Sequence, residues 1–242
     1  SSWLWPFATM DDKTRGKFYP TTDLVTGPDI IFFWVARMIM AGYEFTGKRP
    51  FENVFFTSII RDKKGRKMSK SLGNSPDPLD LIAQYGADAL RFSIMRIAPT
   101  GTDVRFIENK SKDSDSGTEC PQVEEGRNFA NKLWNASRFR QMQGGPEGLS
   151  QLPHIENLSI YDIDILSKLD ELRDDISASY SAYKFQEIAN KLYDFFWSEF
   201  CDWYLESIKQ YFREDADSER RDTVLIVVDI VFARFLQQLH PY

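Results

Sequence analysis

The sequence predicts an α/β domain followed by an all-α helix bundle. Residues 1–60 alternate short apolar runs with loops in a strand, helix, strand order, residues 108–121 are polar, and the apolar positions after them recur with helical spacing. A chain of 242 residues can bury one large core or two modest ones. We therefore predict a first domain at 1–107, a polar linker at 108–121 and a helix bundle at 122–242.

The first domain begins with a strand and a helix. Residues 24–26 are typical of the end of a strand, and Gly27 breaks it. Asp29 is placed to cap a helix over residues 30–40, and Gly42 marks the predicted end of that helix. Ligands of parallel sheets bind at the carboxyl ends of the strands, so the region after residue 26 is a candidate site.

The second strand and two more helices complete this domain. Residues 54–57 and 59–60 are apolar enough to form a buried strand, which gives the strand, helix, strand order of a parallel sheet. Residues 78–85 and 88–97 are predicted to be helical, and Asp77 is available to cap the first of these helices.

The second half of the chain is predicted to fold as a bundle of four helices. Each helix has an apolar face that must be buried against its neighbours. These faces are Phe129, Leu133 and Ala136; Leu166, Leu169, Ile176 and Tyr180; Ile188, Leu192, Phe195, Phe196, Phe200, Trp203 and Leu205; and residues 224–239.

The net charge of −6 is unevenly distributed. Residues 1–120 contain 17 Lys and Arg against 15 Asp and Glu, whereas residues 121–242 contain 13 against 21. Six of the basic residues lie between Arg61 and Lys70. This excludes a uniformly basic RNA-binding surface, so any nucleic-acid contact must use a local patch.

Several classes of protein are disfavoured by composition. No apolar run is long enough to span a bilayer and the start does not resemble a signal peptide, so we expect a cytoplasmic protein without a membrane partner. Cys120 and Cys201 lie far apart, which predicts two free thiols rather than a disulfide framework or a metal site.

The most informative motif is residues 65–74, with the sequence Gly-Arg-Lys-Met-Ser-Lys-Ser-Leu-Gly-Asn. Gly65 and Gly73 let the backbone approach a ligand closely. Lys67 and Lys70, three residues apart, supply point charges for phosphate oxygens. The motif follows the second predicted strand and therefore indicates a mobile cationic loop that binds phosphate groups.

This motif contains the K-M-S-K-S signature and resembles the loop of class I aminoacyl-tRNA synthetases. Other segments resemble the valyl-tRNA synthetase family of that class, and residues 29–38 favour valine because isoleucine enzymes have a more polar pattern there. The matching segments are residues 2–7, 18–21, 25–38, 77–81, 85–92, 126–135 and 195–206. The resemblance implies the C-terminal part of a Rossmann-like catalytic domain followed by an anticodon-binding bundle.

The resemblance also implies a reaction in which ATP activates valine and the valyl group is transferred to tRNA(Val). Lys67 and Lys70 are the implied catalytic residues, because cations that meet the charge on the leaving pyrophosphate lower the barrier. The use of ATP implies that Mg²⁺ binds together with it. No carboxylate cluster in the sequence marks a metal held by the protein itself. The implied ATP-binding residues are Gly27, Asp29, Thr57, Lys67, Met68, Ser69, Lys70 and Ser71.

The amino-acid pocket and the tRNA contacts are further expectations from the resemblance. Ile30 and Trp34 are four residues apart, so they would share a helical face, and the family places that face at the valine side chain. Candidate contacts with tRNA phosphates on the first bundle helix are Arg127, Lys132, Arg138 and Arg140. Four aromatic residues are expected to pack in the core rather than stack on anticodon bases, namely Trp197, Phe200, Trp203 and Tyr204. No DNA partner is expected.

The H-x-G-H motif of the family is absent, because His154 and His240 are the only histidines and neither lies in such a motif. The family's editing domain is missing too, so we expect an excised part of a larger enzyme that is inactive by itself. Two alternatives remain open: an isoleucine- or leucine-specific relative, and a stand-alone tRNA-binding module built on the anticodon fold. The phosphate-binding loop and residues 29–34 favour the enzyme, since an RNA-only module would need neither.

Overall fold

The computed structural model describes residues 2–110, 118–145, 151–213 and 217–242. It confirms the predicted order of an α/β part followed by helices. Residues 111–117 of the predicted linker lie outside the described residues. On either side of them, β5 (Asn109–Lys110) and β6 (Thr118–Glu119) pair in antiparallel fashion, two strands that were not predicted.

The predicted parallel strand pair is present. Two short helices, α1 (Trp5–Thr9) and α2 (Asp12–Phe18), precede β1 (Thr21–Thr26). β1 pairs in parallel with β2 (Phe51–Phe56), in a register that matches Thr26 with Phe56. The carboxyl ends of both strands therefore lie side by side, which is where a ligand is expected.

The helical connection between these strands differs from the predicted helix over residues 30–40. It consists of a 3₁₀ turn at Pro28–Ile30, a π-helical segment at Ile31–Val35 and α3 at Ala36–Thr46. Gly47 ends the helix with φ of 68°, in the left-handed region that favours glycine.

The predicted end of this helix near Gly42 is wrong. Gly42 lies inside α3, where a Cβ atom would stand 2.9 Å from the carbonyl oxygen of Lys48 and 3.0 Å from the hydroxyl of Tyr19. A glycine is needed there for close packing of the chain, not for a stop.

The segment around the signature motif folds onto two helices. β3 (Ile60–Arg61) pairs in parallel with β4 (Val104–Arg105). Between them lie α4 (Pro78–Tyr85), which Asp77 caps by accepting from the Leu79 backbone N–H as predicted, and α5 (Ala87–Ile97). A small core holds this region together, made of Leu81, Ala89, Leu90, Phe106, Cys120 and Val123.

The second half forms the predicted bundle. Its helices are α6 (Pro121–Met142), α7 (Ile160–Ser181), α8 (Phe185–Asp194), which continues through a π-helical segment (Phe195–Leu205) into α9 (Glu206–Ile208), and α10 (Ser218–Leu239). Phe196, Phe200 and Tyr204 are fully buried in the shared core. Trp203 is 54% exposed, so its predicted core position is wrong.

Helix α5 joins the two parts of the molecule. Leu90 belongs to the small core under the signature motif, whereas Phe92 belongs to the bundle core. The Phe92 ring stacks on the Phe129 ring with centroids 4.4 Å apart.

Both cysteines are free thiols, as predicted, and both are buried. Burial raises the pKa of Cys120 to about 11 and that of Cys201 to about 12. Within the described residues, every helix is too short or too polar to cross a membrane.

Candidate nucleotide site at the signature loop

The candidate site lies at the carboxyl ends of β1 and β2. Gly27 and Asp29 follow β1, and Thr57 follows β2. The Thr57 backbone N–H donates to the carbonyl oxygen of Thr26 at 2.9 Å, which ties the two strand ends together. The structure thus brings together three of the residues predicted to bind ATP.

Lys67 of the signature loop forms an ion pair with Asp29 across these strand ends. Its Nζ donates to Asp29 Oδ2 at 2.5 Å, although 38 residues separate the two in sequence. The hydrogen bond from Lys67 lowers the pKa of Asp29 below its ordinary value. The predicted capping role of Asp29 is wrong, because Asp29 lies inside the turn at Pro28–Ile30 and the helical segment that follows has Ile30 at its N-cap and no side-chain cap.

Gly27 makes room for this ion pair. A Cβ atom on Gly27 would lie 2.7 Å from Asp29 Oδ1, a distance that no side chain tolerates without movement. Gly27 and Asp29 were both predicted to bind ATP. In the structure the space beside Gly27 is occupied by the carboxylate of Asp29.

The chain before the signature lysines forms a tight turn around Asp62. The side chain of Asp62 is only 10% exposed. It accepts hydrogen bonds from the backbone N–H groups of Lys64 and Arg66, both at 2.9 Å, and from Arg66 Nε at 2.8 Å. Asp at the first position and Gly65 at the fourth are typical of a β-turn, so a sequence signal for this role existed.

Asn74 closes the signature loop onto that turn. Its Nδ2 donates to Asp62 Oδ2 at 3.0 Å, and its Oδ1 accepts from the Ser69 backbone N–H at 2.9 Å. The hydrogen bond from Asn74, followed by those from Arg66, lowers the pKa of Asp62 well below its ordinary range. We call Asp62 and Asn74 the loop clasp. Neither residue was predicted to belong to the site.

The other signature residues have different environments. Met68 packs against the small core, and its backbone N–H donates to the carbonyl oxygen of Ile60 at 3.4 Å. The hydroxyl oxygens of Ser69 and Ser71 lie 3.3 Å apart. Lys70 begins a 3₁₀ turn at Lys70–Leu72.

The two predicted pocket residues do not share one α-helical face. Ile30 ends the 3₁₀ turn with φ of −113°, and Trp34 lies in the following π-helical segment. Ile30 is 36% exposed, and Trp34 is half-buried, with its Nε1 donating to Ser2 Oγ at 2.8 Å. The prediction of a shared face failed, because a spacing of four residues places two side chains on one face only in a helix with 3.6 residues per turn.

The four basic residues predicted on α6 fall into two groups. Arg140 forms two hydrogen bonds with Asp229, both at 2.7 Å, and Lys132 pairs with Asp202 at 2.7 Å. Arg127 and Arg138 are exposed and make no ion pair with a described residue. Within the described ranges, no group of three His, Cys, Asp or Glu side chains could hold a metal ion.

Comparison with protein families identifies the class. The family described as "tRNA synthetases class I (I, L, M and V)" matches residues 1–107. The family described as "Anticodon-binding domain of tRNA ligase" matches residues 162–242. The chain belongs to the class I tRNA synthetases, as the signature motif and the strand ends beside it indicate.

Within this class, the sequence matches the valine–tRNA ligases over its whole length. The ligase of Bacteroides fragilis is 44% identical over 250 residues, which cover 100% of this chain and 26% of that protein. The ligase of Chlorobaculum tepidum is 44% identical over 258 residues, covering 100% of this chain and 27% of that protein. The chain therefore spans about a quarter of the length of these relatives.

Solved structures support the fold. A LeuRS from Agrobacterium radiobacter K84, in a ternary complex with tRNA and LeuAMS, superposes with a TM-score of 0.70 at 16% identity, over 96% of this chain and 27% of that one. A Mycobacterium tuberculosis methionyl-tRNA synthetase with methionyl-adenylate also gives 0.70, at 21% identity, over 97% of this chain and 45% of that one. These similarities confirm the fold, an α/β part followed by a helical domain.

Proposed function

We propose that this chain supplies the signature loop and the anticodon-binding bundle of a cytoplasmic valine–tRNA ligase that uses ATP, valine and tRNA(Val). The observation that carries the proposal is the ion pair between Lys67 and Asp29, which holds the signature loop against the strand ends. The 44% identity to valine–tRNA ligases supports valine as the amino acid.

The proposed reaction has two steps. An oxygen of the valine carboxylate attacks the α-phosphorus of ATP and forms the O–P bond of valyl-adenylate. The bond from the α-phosphorus to the oxygen that bridges to the β-phosphate breaks, and its electrons leave with pyrophosphate. A hydroxyl at the 3′ end of tRNA then attacks the valyl carbonyl, and AMP leaves. Lys67 and Lys70 are assigned to the charge that grows on pyrophosphate in the first step. Mg²⁺ is expected to arrive with ATP.

ATP binding is proposed to separate Lys67 from Asp29. The carboxylate of Asp29 would accept hydrogen bonds from the ribose hydroxyls, and Lys67 would turn to the phosphates. The side chain of Asp29 is 44% exposed and that of Lys67 is 58% exposed. An ion pair this exposed contributes little to stability, so its loss is easily offset by the contacts with ATP.

The test is valine-dependent exchange between ATP and pyrophosphate in a chimera, in which this chain replaces the matching segment of the Bacteroides fragilis ligase. We expect exchange with valine to exceed that with isoleucine, leucine or threonine, and the chain alone to show none. Lys70→Ala should lower the rate about 100-fold, because it removes a cation that acts in the transition state. Lys64→Ala, a change of an exposed lysine in the preceding turn, is the matched control and should stay within about twofold.

Each other outcome changes the proposal in a defined way. A folded chimera with no exchange for any amino acid contradicts the enzyme and favours a tRNA-binding module. A preference for isoleucine or leucine keeps the enzyme and replaces its amino acid. A Lys70→Ala chimera as active as the unmutated chimera removes the assignment of Lys70 to pyrophosphate.

A further inference from the structure

A closed ring of three polar side chains joins the helix bundle to the catalytic sheet. The hydroxyl of Tyr183, on the turn between α7 and α8, donates to Asp23 Oδ1 at 2.5 Å. The same hydroxyl accepts from Asn53 Nδ2 at 3.2 Å, and Asn53 Nδ2 also donates to Asp23 Oδ1 at 3.0 Å. Each side chain therefore bonds to both of the others.

The ring engages both strands of the sheet at once. Asp23 on β1 and Asn53 on β2 are register partners, so their side chains lie side by side on one face of the sheet. Tyr183 bonds to both. β1 ends at Thr26 and leads directly to Asp29 of the candidate site. The polar ring therefore bonds the bundle to the strand that leads to Asp29.

Backbone and ring contacts fix the orientation of Tyr183. Its φ is 57°, and it is the only non-glycine residue of the described ranges with a positive φ. A tyrosine rarely adopts this conformation and retains it only where its surroundings impose it. Its ring stacks on Phe55 of β2 with centroids 6.1 Å apart. A strained residue held at a contact between two domains is a candidate for function rather than for stability alone.

We propose that Tyr183 is a positioning residue that couples the bundle to the site-bearing strand, so that tRNA bound to the bundle affects the adenylate end of the site. The proposal rests on the proposed function for the binding of tRNA. Tyr183 acts through Asp23 and Asn53 and contacts no substrate. Its hydroxyl should therefore matter for transfer to tRNA and little for activation of valine without tRNA.

The test compares two tyrosine-to-phenylalanine changes in the chimera. Tyr183→Phe keeps the aromatic ring and removes the hydroxyl that bonds to Asp23 and Asn53. Tyr180→Phe is the matched control: Tyr180 is 61% exposed, packs on Phe185 at 6.0 Å, and its hydroxyl bonds to no described residue. We expect Tyr183→Phe to keep valine-dependent exchange within about twofold and to lower kcat/KM for tRNA in aminoacylation about fivefold. Tyr180→Phe should change neither.

A second variant keeps the proposal testable if Tyr183→Phe unfolds. Asn53→Ala opens the same polar ring from the sheet and should give the same split between the two steps. The double variant should lose little more than either single variant, because both changes break one network. Equal losses in both steps, or no loss in either, would overturn the coupling role. An unmutated chimera without valine-dependent exchange would instead contradict the proposed function.

Discussion

The helix bundle buries a group of phenylalanine side chains at its centre, whereas the part that carries the signature loop leaves several of its own phenylalanines exposed. Phe196 and Phe200 are 0% and 1% exposed. In the segment after β1, Phe32 and Phe33 are 81% and 70% exposed. The bundle is thus held together mainly by apolar burial, which is close to maximal at its centre.

The site-bearing part is organised differently. Its signature loop is held by the carboxylate of Asp62, the amide of Asn74 and the ion pair of Lys67 with Asp29. Hydrogen bonds and ion pairs that are partly exposed each contribute modestly, so they can be exchanged when a ligand arrives. The comparison indicates that stability is concentrated in the bundle and adjustable contacts are concentrated at the site.

The largest expected effect comes from replacing a buried phenylalanine of the bundle by alanine, compared with the same replacement at an exposed phenylalanine of the site-bearing part. Phe196→Ala should lower the free energy of unfolding by about 3–5 kcal/mol, because it leaves a cavity in a dense core. Phe32→Ala, the matched change at an exposed position, should alter it by less than about 0.5 kcal/mol. Denaturant unfolding of the chain, followed by circular dichroism, measures both. Similar losses in the two variants would contradict the contrast between the parts.

A smaller effect is expected from opening the loop clasp. Asn74→Ala should lower valine-dependent exchange in the chimera about tenfold, since Asp62 and Ser69 lose the amide that joins them. Asn135→Ala, at an exposed position of α6, is the control. The unfolding free energy of the chain should hardly change, because the bundle core is untouched. A large loss of stability would show that the clasp supports the fold rather than the loop.

The clasp also has an expected pH signature. The folded-state pKa of Asp62 is lowered, with the Asn74 hydrogen bond as the first cause. A lowered carboxyl pKa stabilises the loop above the ordinary pKa of about 3.9, and this contribution is lost as the pH falls toward the folded-state value. Asn74→Ala should raise the pKa of Asp62, which an NMR titration of the chain measures. An unchanged pKa would exclude Asn74 as its main cause.

Local sequence signals were sufficient for some elements and not for others. The bounds of α4 could be predicted, because Asp77 and Pro78 together are a strong start signal. Gly42 misled the prediction of α3, since its role is a close contact with Lys48 that only the folded chain shows. The partnership of Lys67 with Asp29 spans 38 residues, so no local pattern could predict it.

The smallest expected effect separates structural from functional basic residues within the bundle. Arg138→Ala should weaken tRNA binding to the chimera about threefold, near 0.7 kcal/mol, and reduce the slope of log Kd against log salt by about 1, since one exposed phosphate contact is lost. Arg140→Ala should instead lower the unfolding free energy, because Asp229, whose side chain is only 22% exposed, would lose its two hydrogen bonds. Nitrocellulose filter binding at several salt concentrations measures the first effect, and thermal unfolding the second. If Arg138→Ala left both the affinity and the salt slope unchanged, the tRNA path would not cross this face of α6, and the exposed Arg127 on the same helix would lose its assignment with it.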